Sequence, residues 1–155
     1  MTERQPRRLV LLNQAANYLT IGFANAFNRE FDSVSLIAGS VHVQGAPLDP
    51  DIEVRKINRW HERPASRKAL SYGLGLLWMW WLLMTRYRRH EVLFVSVPPM
   101  AYLLNLVLPH RFSMVIWDVY PDSLKITGTS ERHPIYRIWA WLNLRSFRRA
   151  YRLFT

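Results

Sequence analysis

Short apolar runs alternate with longer stretches of helical periodicity along this chain, and that alternation limits the fold more than any other feature. RLVLLNQ (8–14) is a brief apolar run bounded by polar residues, the pattern of a strand covered on both faces. NYLTIGFANAFNRE then repeats Leu19, Phe23 and Phe27 at helical spacing, with Ile21 and Ala26 beside the stripe and Asn17 placed to cap the helix. SVSLIAG (33–39) reads as a second strand closed by glycine, and DIEVRKIN (51–58), through Ile52, Val54 and Ile57, as a third. A helix capped by serine is expected from about Ser66 to Arg89, closing in cations suited to a helix carboxyl end. EVLFVSV (91–97) is a buried strand stopped by Pro98 and Pro99, which cannot donate to a sheet ladder. MAYLLNLVL is a short helix, RFSMVIWD (111–118) the next strand, and 127–133 a polar loop. HPIYRIWAWLNLRSFRRAY is a helix entered through Pro134, after which YRLFT opens a further strand.

Such alternation builds a parallel sheet wrapped by helices. The expected fold class is α/β: a Rossmann-like, open, mostly parallel sheet with helices on both faces. The 155 residues suffice for one domain (1–155) with its own core, and a hydrophobic fraction of 50% excludes general disorder. The absence of cysteine removes disulfides, thiolate metal sites and a thiol nucleophile. His42, His61, His90, His110 and His133 stand singly, with no i, i+4 pair, so no metal site is expected. The formal charge of +10, mostly arginine, favours anionic lipid, phosphorylated ligands or nucleic acid. No RNA-binding or helix-turn-helix motif is present, and nucleic acid is not expected as a partner. MTERQPRRLVLLNQ carries an apolar run too short for a secretory signal.

In open parallel sheets, ligands bind beyond the carboxyl ends of the strands, near the point where strand order reverses. Three segments should end there: NQAAN after the first strand, SVPP after EVLFV, and DVYPD after SMVIW. Asn13, Gln14 and Asn17 precede a helix amino end whose amides could receive a phosphate, although ordinary strand-to-helix turns look the same. Asp122 suits the start of a helix, where a carboxylate meets the positive end of the dipole. Asp118 interrupts a strongly apolar stretch. It either terminates the strand or serves at the rim as a base or hydrogen-bond acceptor for a substrate hydroxyl.

From Leu70 to Met84 the residues are apolar around nearly the whole helix circumference. Something must cover them. Those fifteen residues rise about 22 Å, short of the ~30 Å hydrocarbon core, so a spanning helix is disfavoured and either burial or insertion into one leaflet is expected. Trp80 and Trp81 with Arg86, Arg88 and Arg89, and Trp141 with Arg145 and Arg148, have the aromatic and cationic character of a membrane surface. In the last helix, Ile135, Ile138, Trp139 and Leu142 form an apolar stripe.

FVSVPPMAYLLNLVLPHRFSMVIWDVYPDSL (94–124) resembles the amino-terminal domain of group 1, family 4 type glycosyltransferases with the GT-B fold. In many of those a strand ends in a Ser/Pro-Pro turn, a short helix follows, and the next strand closes with an Asp-aromatic-Pro-acid element. SVPP, MAYLLNLVL and DVYPD match that order. Relatives often have a glycine-rich turn after the first strand, where this chain has NQAAN. The resemblance implies one half of a two-domain, retaining glycosyltransferase that needs no metal or other cofactor. The nucleotide-sugar would be bound mainly by a carboxyl-terminal domain lying outside this chain, and the acceptor, lipid-linked or a glycan, by this domain. It implies Asp118 as the catalytic residue orienting the acceptor hydroxyl, with Ser96, Pro98, Tyr120 and Asp122 beside the acceptor. It also implies cell-envelope glycan synthesis, at a cytoplasmic, peripheral position on the inner face of the plasma membrane. The alternative from composition alone is a non-catalytic membrane-peripheral or scaffolding module.

Overall fold

The computed structural model describes residues 6–61, 63–95, 97–117, 121–122, 125, 128 and 130–155. Strand β1 (Arg8–Leu12) lies in the middle of a six-stranded sheet with β3 (Ser33–Ala38) and β5 (Glu53–Lys56) on one side and β6 (Glu91–Val95), β7 (Phe112–Val115) and β8 (Arg152–Phe154) on the other. Every pairing in this sheet is parallel, with Leu11 opposite both Leu36 and Leu93. Val10, Leu11 and Leu12 are wholly buried, as expected of a strand covered on both faces. The fold is α/β and Rossmann-like.

Helix α1 (Tyr18–Asn28) covers one face, where Ala24, Phe23 and Phe27 pack with Leu9, Leu11, Val34 and Leu36. Helix α2 (Ala65–Thr85), a short 3-10 helix (Ala101–Leu106) and α3 (Pro134–Arg149) cover the other. Asn17 caps α1 by accepting from the Thr20 amide at 3.2 Å, and Pro134 opens α3 in its first turn. Two further short strands, β2 (Ala15–Ala16) and β4 (Ser40–Val41), pair parallel beyond the ends of β1 and β3.

Several expectations need correction. Ser66 does not cap α2: the helix starts one residue earlier, with Pro64 at the cap position and its carbonyl accepting from the Lys68 amide. The same helix ends at Thr85, because the Tyr87 amide turns back to the Leu82 carbonyl; the RYRRH segment lies past the helix, with Arg86 as its carboxyl cap. Nor does α2 bury its whole circumference. Ser71, Gly75, Met79, Leu82 and Leu83 face inward, whereas Leu70, Leu74, Leu77, Trp78, Trp80, Trp81 and Met84 are exposed. At about 1.5–3 kcal/mol per fully buried apolar side chain, the inward residues suffice to dock the helix, and the outward ones add little to folding. In α3 the stripe is also displaced: Ile135 and Ile138 are about 60% exposed, while Asn143 and Ser146 are buried. Hydrogen bonds cause the rotation. Tyr102 Oη donates to Asn143 Oδ1 at 2.6 Å, Asn105 Nδ2 to the Ser146 carbonyl at 2.8 Å, and Ser146 Oγ to the Tyr102 carbonyl at 3.3 Å.

Candidate functional site

After β1, the chain proceeds to β3 and β5 on one side and then returns to add β6 on the other, so strand order reverses between β1 and β6. The crevice expected of such sheets opens at the carboxyl ends of these two strands. Gln14 joins its two sides: its amide donates to the Val97 carbonyl at 2.9 Å and its carbonyl accepts from the Gly39 amide at 2.9 Å. The Gln14 side chain, wholly buried, donates through Nε2 to the carbonyls of Ser71 (2.9 Å) and Asn58 (3.2 Å). Asn13 is buried as well. Its Nδ2 donates to Thr20 Oγ1 at 2.7 Å, and its Oδ1 accepts from the Ala15 amide at 3.0 Å. The sequence reading placed Asn13, Gln14 and Asn17 near a phosphate. The structure engages their side chains inward, in the floor of the crevice and the α1 cap.

Two cavities flank this floor. One, of about 370 Å³, is chiefly apolar and lies between Tyr72 and Leu76 of α2, the Pro98–Met100 turn after β6, and Trp139 of α3. Pro98 is therefore in a cavity wall. The other, of about 530 Å³, lies beyond β3 and β5 and is walled by Gly39, His42, Lys56, Arg59, Trp60 and His61. Trp60, in the wall of the second cavity, stacks on Tyr72, in the wall of the first, with ring centroids 6.2 Å apart, and Lys68 Nζ sits 5.9 Å from each ring. Sequence reasoning missed the second cavity. Its cations come from separate segments, and the one linear signal was Gly39 closing the second strand.

Asp118, Ser96 and Tyr120 lie outside the described residues. The chain reaches the carboxyl edge at Trp117, which stacks on Phe23 of α1 at 6.5 Å. Asp122 accepts from Tyr136 Oη at 2.7 Å and pairs with Lys125 at 2.7 Å, and Lys125 also pairs with Glu131 at 2.6 Å. Hydrogen bonds from Lys125 and Tyr136 hold the Asp122 carboxyl below the usual carboxylate range, and those to Asp122 and Glu131 push the Lys125 ammonium up. This cluster ties the segment after β7 to α3.

On the outer surface, Trp80 and Trp81 extend the exposed apolar face of α2. Arg86 pairs with Glu53 at 2.9 Å, while Arg88 and Arg89 are exposed. On α3 the Arg145 guanidinium lies 4.5 Å from the centroid of the exposed Trp141 ring, and Arg148 is exposed. Because α2 and α3 each precede a parallel strand, both run against the strands and carry their terminal arginines toward the amino edge of the sheet. Among the described residues no helix is long and apolar enough to cross a membrane, and no group of three His, Cys, Asp or Glu could hold a metal ion.

Comparison of the chain with protein-family models and with curated proteins gives no match.

Proposed function

We propose that this domain is the acceptor-holding half of a retaining GT-B glycosyltransferase working at a membrane surface, with the nucleotide-sugar held by a second domain. The observation that carries the reading is the apolar cavity. It lies at the switch point, next to the Pro98–Pro99 turn, on the face of the sheet whose helices α2 and α3 expose tryptophans and arginines. An acceptor with an apolar portion would enter between α2 and α3 and rest against Leu76, Met100 and Trp139, its hydroxyl directed to the carboxyl edge that the chain reaches at Trp117. Asp118 would orient that hydroxyl and take its proton as the sugar is transferred. In the full-length enzyme, label should pass from a nucleotide-sugar to a membrane-extracted acceptor, and Asp118→Asn should lower the rate at least ~100-fold while preserving folding. Unchanged turnover in the folded variant would remove Asp118 from the chemistry.

A non-catalytic peripheral module is favoured by one observation, the contiguous exposed apolar face of α2. Flotation with anionic vesicles, lost in Leu77→Glu/Trp81→Glu, combined with no sugar transfer by the full-length protein, would select that reading.

A further inference from the structure

We infer that the cavity beyond β3 and β5 is an anion subsite that takes the phosphoryl group, monoester or diphosphate, of a phosphorylated acceptor. The inference rests on the reading of this domain as the acceptor-holding one, and it adds the chemical class of the acceptor's charged part.

Among the described residues the cavity wall has one electrostatic sign: Lys56 and Arg59 reach it with His42 and His61, Ser40 adds a hydroxyl, and no carboxylate of the described residues lines it. Among the described residues neither Lys56 nor Arg59 makes an ion pair. Cations and hydrogen-bond donors converging on one space are complementary to an oxyanion with several acceptor atoms.

The arrangement is held in place by the fold. A Cβ on Gly39 would lie against the Asn58 carbonyl oxygen, so only glycine lets the 58–61 segment close over the end of β3. The Ile57 amide donates to the Ala38 carbonyl at 3.0 Å, Asn58 Nδ2 to the Ser71 carbonyl at 2.9 Å, and the His61 amide to Ser71 Oγ at 3.3 Å. The His42 amide donates to the Ala16 carbonyl at 2.8 Å, which extends the β2–β4 pairing to the rim. A backbone fixed in advance lowers the ordering cost of binding. Finally, the apolar cavity starts on the far side of the Trp60–Tyr72 stack. A ligand with a phosphoryl group in one cavity and an apolar portion in the other would pass over that ring pair.

Titration of the full chain with inorganic pyrophosphate tests the inference by calorimetry, with the His42 and His61 ring resonances followed in parallel. Saturable binding with movement of both resonances is expected. Lys56→Ala/Arg59→Ala should weaken it at least about tenfold, since each charged hydrogen bond lost is worth that order, whereas Arg88→Ala/Arg89→Ala leaves it unchanged. Both pairs are exposed, and Arg59→Gln provides a milder variant should the double substitution perturb folding. Phosphatidylcholine vesicles with and without phosphatidic acid distinguish the source. Flotation that falls with Lys56→Ala/Arg59→Ala assigns the phosphoryl group to a bilayer lipid, and flotation that falls only with Arg88→Ala/Arg89→Ala assigns it to a ligand taken from solution. No pyrophosphate binding, or equal weakening by the two double variants, overturns the subsite. Pyrophosphate binding needs no donor domain, so a failed sugar-transfer assay with intact binding rejects the transferase reading and leaves the subsite standing.

Discussion

Gly39 lacks a side chain for a packing reason that can be measured. A methyl group there would meet two backbone carbonyl oxygens, those of Asn58 and Gln14, and neither can swing aside as a flexible side chain would. Gly39→Ala should therefore cost about 2–3 kcal/mol, seen as a lower urea midpoint at unchanged slope. It should also weaken pyrophosphate binding, because the displaced segment carries Arg59 and His61. At Gly75 the neighbour is a side chain instead: a Cβ would come within 2.5 Å of Gln14 Nε2, the atom whose hydrogen bond ties α2 to the end of β1. Gln14 and Asn13 were readable in the sequence as residues at a strand end. Their role was not, because an amide at that position serves a ligand or the chain's own carbonyls equally well. Burial decides between these, and burial depends on where Ser71 and Asn58, both distant in sequence, come to lie.

Helix α3 shows how polar contacts override an apolar stripe. Tyr102 Oη donates to Asn143 and accepts from Trp139 Nε1 at 3.0 Å, fixing the rotation of α3 over the 3-10 helix. Tyr102→Phe removes both bonds while keeping the ring that packs against Phe94 and Phe147, and should cost about 1–3 kcal/mol by thermal or chemical denaturation. A larger loss confined to Asn143→Leu would instead place the weight on the amide. The main strands, in contrast, were legible in place though read too long at their ends, since a four- to six-residue apolar run bounded by polar groups has few other ways to be covered. Helix α2 was legible as a helix but not in its orientation. With apolar residues all round, periodicity carries no signal for which side meets the sheet. Ser71 and Gly75 settle it, being small enough to allow close approach on the side where Met79 is buried.

At the scale of the whole molecule, acid should act through the amino edge of the sheet. Burial holds the His90 and His110 imidazoles below their ordinary value of 6.5; around His90, Arg8 and His110 add to this and Glu53 opposes it. The folded chain thus keeps both rings neutral where the unfolded chain would bind protons. Stability is then full above about pH 6.5 and falls as pH drops through that value toward the lowered folded ones. The urea midpoint should decrease from about pH 7.5 to about pH 5.5, and His110→Gln should flatten the decrease. A midpoint independent of pH over this range would contradict the neutral assignment. The sequence by itself determined the alternation of strand and helix, and hence a parallel α/β sheet, because the period and length of apolar runs are local properties of the chain. Tertiary structure alone decided strand order, the outward face of α2, and the gathering of His42, Lys56, Arg59 and His61 around one cavity. Those depend on which distant segments the crossovers bring to the same edge, and no local pattern encodes that.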